Sequence, residues 1–351
     1  MRRVVAVPAG LVLAIVTAAL AASVAAQQAP RATTPSGVTP AGASKPAAPA
    51  PAKTAAIPRT PDGRPDLQGN WSFATVTPLE RPANLAGKAV LTDEEAREIE
   101  NQAAARANQD QGRQRGTAAD VNRAYNDAWY DAGTRVVSTK QTSIITDPPN
   151  GRIPPMTSDG QARAAARAAA RRSRGPADDP EARSLGERCL IGFNAGPPLT
   201  PSAYNNNIEI VQTRDYVMIM TEMVHEARIV PLDGRPSLPS GIRRWMGDSR
   251  GHWAGDTLVV ETTHFSEKNA YRGASENLRL TERFSRADPS TLIYEFTVDD
   301  PATWTAPWTG RIPLERLDEN LYEYACHEGN RGMEGILKGA RTEEREAAGV
   351  R

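Results

Sequence analysis

Histidine and cysteine are scarce in this chain, with four of one and two of the other in 351 residues. The histidines all fall between His225 and His327, at spacings that match no metal motif. That leaves little material for a metal centre of several ligands. An excess of charge of one sign is missing too. The 42 basic and 42 acidic residues balance. Losing Arg2 and Arg3 with an N-terminal leader leaves only a slight acidic excess, so no strong field favours nucleic acid or an anionic membrane. Gly-x-Ser-x-Gly, a phosphate loop and a dinucleotide fingerprint are all absent, which argues against an α/β-hydrolase, a kinase or a nicotinamide enzyme. Beyond the first 26 residues no apolar run is long enough to span a bilayer.

What is present begins with that leader. Arg2 and Arg3 precede an apolar stretch from Val4 to Ala22, and Val24 and Ala26 are the small residues a signal peptidase needs. Residues 1–26 therefore read as a signal peptide, with a retained membrane anchor as the rival reading. Residues 27–58 are Ala, Pro, Thr and Ser with little apolar bulk. Such a linker cannot offset its ordering entropy and is expected to stay disordered. Residues 59–351 are expected to form one β-rich domain, periplasmic or secreted, with no integral membrane segment in the mature chain. In an exported chain Cys189 and Cys326 are expected to pair; two separate buried thiols are the alternative.

Along this domain, "LTDEEAREIENQAAARANQ" predicts a helix over about 92–108, with Thr92 and Glu95 forming a capping box. A second helix is expected over about 158–174, with Ser158 and Gln161 as its box and Arg163, Arg167, Arg171 and Arg174 as a basic stripe. That stripe is either an anion-binding face or a solvated surface. A third helix, over about 331–348, starts from Asn330. Between the first two, Trp129 and Asp131 sit in a run of aromatics and carboxylates that suits either a ligand pocket or a core. Residues 135–138 and 142–146 look β-like. From Asn205 to His327 short strands recur at hairpin spacing, "MVHEARIV" and "LYEYAC" among them. The fold class is mainly β: an antiparallel meander forming a lipocalin-like barrel or a curved sheet, with peripheral helices.

Strand alternation sorts the polar residues. Over Met223–Val230 it sets His225 on one face and Glu226 with Arg228 on the other. His225 is expected to look into the barrel and meet a ligand. Glu226 and Arg228 are expected to hold register against neighbouring strands. His264 and His327 likewise fall on strand faces that are mostly apolar, whereas His252 lies in a turn-rich surface stretch. Three readings stay open: a three-histidine metal site, a histidine–carboxylate acid–base pair, and hydrogen bonding to a ligand without chemistry. Satisfied core histidines are the plain alternative. The candidate catalytic residues are His225, His327 and Glu328. The candidate ligand-binding residues are Tyr204, Asn206, Arg228, Trp129 and Asp131. No metal and no cofactor is expected. The expected partner is a small organic or saccharide molecule, bound or transformed in a barrel pocket. A non-catalytic structural or interaction module is the alternative.

"PDLQGNW" resembles the Gly-x-Trp opening of a lipocalin-type barrel, whose tryptophan plugs the base. Together with "TPLERP", "DPPNGRIPP", "AYNNN", "HEARIVPLDGRP", "GDSRGHWAGDTLVVETT", "EFTVDDPATWTAPW" and "YEYACHEGN", it resembles a large family of exported proteins of soil bacteria. The resemblance covers about Arg59 to Arg345. It implies an exported location and brings neither an activity nor a catalytic residue. The family's motif carries asparagine where this chain has His264, which argues against an indispensable role for that histidine.

Overall fold

The computed structural model describes residues 56–107, 116 and 132–349. The leader and nearly all of the linker lie outside them, as do Trp129 and Asp131. The strands are β1 (Gly69–Ser72), β2 (Ile145–Asp147), β3 (Asn207–Gln212), β4 (Tyr216–Thr221) and β5 (Ala227–Pro231). After them come β6 (Asp248–Ala254), β7 (Thr257–Thr263), β8 (Arg279–Asp288), β9 (Thr291–Asp299) and β10 (Trp308–Leu317). Among the described residues three α-helices flank them: α1 (Asp93–Ala107), α2 (Ser158–Arg172) and α3 (Arg331–Ala347).

The strands form one antiparallel sheet in the order β5-β4-β3-β1-β10-β9-β8-β7-β6, with β2 added to β10. Apart from β2, this is chain order wrapped round a ring, because β1 pairs with both β3 and β10. The ring does not close. Each pair along the path is antiparallel, and the path has an odd number of strands, so its two ends, β5 and β6, run the same way. They cannot complete the antiparallel ladder. They meet by side chains instead. A Cβ added at Gly251 of β6 would lie 2.8 Å from Val230 Cγ1 of β5 and 2.7 Å from Leu232 Cδ2. The sheet is thus curved strongly enough for its ends to touch.

Period-two alternation builds the inside of this curve. In β8 and β9 every second residue is buried, and Leu280, Phe284, Leu292, Tyr294, Phe296 and Val298 form the core with Trp71, Ile208, Ile210, Ile312 and Leu314. The tight turns after β3, β6 and β8 gather at one end, called here the hairpin end. The longer connections gather at the other, the loop end. Trp71 is fully buried, and its Nε1 donates to Leu67 O at 2.9 Å.

The helices lie close to their expected positions. Glu95 N donates to Thr92 Oγ1 and Thr92 N donates to Glu95 Oε2, the reciprocal pair of a capping box. Asn330 caps α3 by accepting from Met333 N at 3.3 Å. For α2 the cap is Thr157, which accepts from Gly160 N, and not Ser158; Gln161 donates instead to Met156 O. Two of the four arginines of its basic stripe are spent on backbone, while Arg171 and Arg174 are exposed. Arg163 donates to Ala302 O and Thr303 Oγ1, and Arg167 donates to Gly273 O and Ala274 O. These arginines fasten α2 to the loop end.

One expected strand is shortened and another is absent. Residues 223–225 form a turn of 3-10 helix, so β5 begins only at Ala227. Val224 and His225 have φ of 61° and 43°, left-handed values that break the strand alternation assumed across them. Residues 321–326 form no strand and lie outside the sheet. Of the two β-like runs near residue 140, only the later one becomes a strand, as β2.

Candidate functional site

The interior of the curved sheet holds large, fully buried side chains, with a polar network among them. Arg228 on β5 crosses the interior to Glu282 on β8 and pairs in bidentate fashion, at 2.6 Å from Nη1 and 3.0 Å from Nη2. Tyr294 OH donates to Glu282 Oε1 at 2.8 Å and accepts from Leu199 N at 3.0 Å. Burial alone would lower the Arg228 guanidinium, but Glu282 more than offsets this and holds it above its ordinary value. Burial, reinforced by the Glu282 carboxylate, pushes the Tyr294 phenol well up. Arg228 therefore does not pair with a neighbouring strand, as its face had suggested. It is the inward residue, and its donors are held by Glu282.

His225 reverses the expectation in the opposite direction. It lies on the left-handed turn after β4, exposed to solvent and not looking inward. Its neighbour Glu226 is half-buried. Burial pushes the Glu226 carboxyl above the ordinary glutamate range, against the opposing pull of His225 and Arg228.

The turn nevertheless belongs to a gathered site. At the loop end, residues 184–195, Tyr204, residues 222–226 and residues 322–330 gather as a lobe around a second small core. A disulfide joins Cys189 to Cys326 across 137 residues, the pairing expected from sequence. Asn330 Nδ2 donates to Glu187 O at 2.8 Å beside it. Glu222 is buried and clamps two segments, accepting from Asn207 Nδ2 at 2.6 Å and from the Tyr322 backbone N at 3.1 Å. Met223 and Val224 pack with Ile191, Ala195 and Met246 in a small core, against which Tyr204, Tyr324 and Cys326 also rest. Tyr204 stacks on Tyr324 at 6.4 Å, with Phe193 edge-on at 5.2 Å.

This lobe brings together most of the residues singled out from sequence. Tyr204 is in its aromatic group. Asn206 is fully buried beneath it, where its Oδ1 accepts from Ser202 N and Asn194 Nδ2 and its Nδ2 donates to Ser202 O. Such a residue ties loop to loop and presents little to a ligand. His327 and Glu328 follow the bridged Cys326, both exposed, on irregular chain rather than on a strand face. Trp129 and Asp131 lie outside the described residues. His264 sits elsewhere on the loop end, beside a shallow depression of about 190 Å³, with its Nδ1 2.8 Å from Thr263 Oγ1. Among the described residues, no three His, Cys, Asp or Glu side chains are placed to hold a metal ion.

Sequence reading missed three features. Phe193 and Tyr322 are strongly exposed, at 53% and 76%, and stand on the lobe surface. The left-handed pair Val224–His225 has no local signal, because neither residue type favours that conformation. At the hairpin end an open bowl of about 510 Å³ is lined by Asp62, Arg64, Arg214, Asp215, His252 and Trp253. Its segments are distant in sequence, and only the curvature of the sheet collects them. No protein-family model matches the chain, and no curated protein matches it.

Proposed function

We propose that this is an exported binding protein that takes a saccharide or comparable small organic molecule on the outside of its curved sheet, at the disulfide-pinned lobe. The exported location draws on the leader-like N-terminus and on the disulfide. The observation that carries the reading is the strained turn. A β-branched residue and a histidine in succession hold left-handed geometry, a conformation that persists only where the surroundings over-determine it and that gathers at binding sites. Here it presents His225 to solvent on the lobe that also exposes the Phe193 and Tyr322 rings, residue types that hydrogen-bond sugar hydroxyls and stack on a sugar face. Inside the sheet Arg228, Glu282 and Tyr294 hold one another, so the reading turns from the barrel pocket expected from sequence to the outer lobe.

Acid–base turnover at the same lobe is a second reading. Burial lets the Glu226 carboxyl keep its proton to higher pH, as a general acid must, with His225 adjacent in the chain. A glycan array followed by calorimetry on the mature protein tests binding. Tyr322→Ala and His225→Ala are both exposed and are expected to fold normally. Each is expected to weaken binding severalfold, roughly the worth of one aromatic or polar contact. Affinity unchanged in both, with loss in Trp253→Ala, would move the site to the hairpin-end bowl. Turnover by wild type that disappears in Glu226→Gln would favour the second reading.

A further inference from the structure

We infer that the hairpin end carries a separate anion site, which holds a carboxylate, phosphate or sulfate group between Arg286 and Arg316. The platform is Trp71, whose ring is fixed by the hydrogen bond from its Nε1 to Leu67 O. The Arg286 guanidinium carbon lies 4.7 Å from the ring centroid and that of Arg316 lies 5.6 Å from it. Two cations therefore share one aromatic ring. Cation–π attraction offsets part of their desolvation but satisfies none of their N–H donors.

Arg286 is the informative member. It is only 8% exposed, and its Nε and Nη1 are buried with no hydrogen-bond partner among the described residues. Two buried N–H groups of one guanidinium without hydrogen bonds are an arrangement that native proteins rarely leave standing. Asp66 and Asp288 act on it electrostatically, but Asp66 Oδ1 accepts from Gln68, and Asp288 Oδ1 accepts from Ser290. Burial and the like charge of Arg316 together push the Arg286 guanidinium below its ordinary value.

The position of Arg316 is built into the backbone. Gly69 has φ of +115°, and a Cβ there would lie 3.0 Å from both terminal nitrogens of Arg316. Only glycine lets this guanidinium lie down across β1. Arg316 is exposed, and its Nη1 reaches Gln68 O at 3.2 Å. It is the exposed member of the pair, and Arg286 is the buried one. An oxyanion between them meets two needs at once: it pairs with guanidinium edges in their preferred geometry and screens one cation from the other.

The test is a thermal-shift titration of the mature protein with sodium phosphate, sulfate and acetate, with sodium chloride matched for ionic strength. A saturable rise in Tm with at least one oxyanion, and none with chloride, is expected. Phosphate or sulfate against acetate separates a tetrahedral group from a carboxylate. Arg316→Gln, at an exposed position, is expected to fold and to weaken the apparent affinity about tenfold, the worth of one charge-assisted contact. Arg286→Gln is expected to abolish the effect; if it does not fold, Arg316→Gln decides alone. His225→Ala is expected to leave the shift intact, which separates this site from the lobe. No saturable shift in wild type, or an equal shift in Arg316→Gln, overturns the inference.

Discussion

At the scale of single residues, the most consequential side chains are those that sequence placed on the wrong side. Arg228 and Glu282 are an ion pair inside the sheet, each almost wholly removed from water. Such pairs are retained at a desolvation cost that their attraction roughly repays, while removal of one partner leaves a bare buried charge. Arg228→Met is therefore expected to destabilise the protein by about 3–5 kcal/mol, because Glu282 loses its cation. The double variant Arg228→Met, Glu282→Leu is expected to recover most of that loss, with Tyr294 left to donate elsewhere. Urea unfolding of the four proteins forms a thermodynamic cycle. Equal losses in the single and double variants would mean that shape and not charge compensation holds this part of the core. The rest of the network holds the pair in place: Tyr294, itself held by Leu199 N, orients Glu282 toward the arginine. Neither Tyr294 nor Leu199 is signalled by residue type or spacing, which is why the network was illegible in sequence although both strands were legible.

At the scale of elements, the regular parts were readable and the irregular ones were not. β8 and β9 alternate along their length, and three helices begin near recognisable caps, so periodicity and capping chemistry sufficed. The cap of α2 moved by one residue because Thr157 and Ser158 are both competent and only packing against Thr303 separates them. The stretch 321–326 alternates well enough for a strand but has a disulfide and a clamp to Glu222 in place of a neighbouring ladder. The turn between β4 and β5 is the sharpest failure. Two left-handed residues there reset the face of everything after them, so His225 went outward and Arg228 inward. The same turn makes a pH-dependent prediction. Glu226 ionises less readily in the folded chain than in the unfolded one, because burial raises it above 4.5. Its ionisation therefore favours unfolding. Stability from this group is fully present below the ordinary glutamate value and declines as pH rises through the raised one. Melting curves of wild type and Glu226→Gln across that range are expected to differ, with the variant lacking this decline. Parallel curves would show that the Glu226 carboxyl keeps ordinary behaviour.

At the scale of the whole molecule, one cross-link organises the exterior. β3 to β10 all lie between Cys189 and Cys326, so the disulfide closes a loop containing nearly the entire sheet. In the chain-entropy account a loop of this size confers about 5 kcal/mol by restricting the unfolded chain. What it holds in the folded state is more local: the 318–330 segment and the start of α3 against residues 184–190, beside the Asn330 and Tyr322 hydrogen bonds. The sheet has its own ladders and a continuous core and needs no bridge for its register. Cys189→Ser with Cys326→Ser is thus expected to lower Tm while the sheet persists. Hydrogen exchange is expected to rise first in residues 184–206 and 318–330, and later, if at all, in β8 to β10. Binding at the lobe is expected to weaken in the same variant, because Tyr204 and Tyr324 stack across the freed segment. The anion response at the hairpin end is expected to survive, since Trp71, Arg286 and Arg316 all sit on sheet strands. Exchange rising equally in lobe and sheet would make the molecule one cooperative unit, with the disulfide a general staple and not the fastening of a separate functional surface.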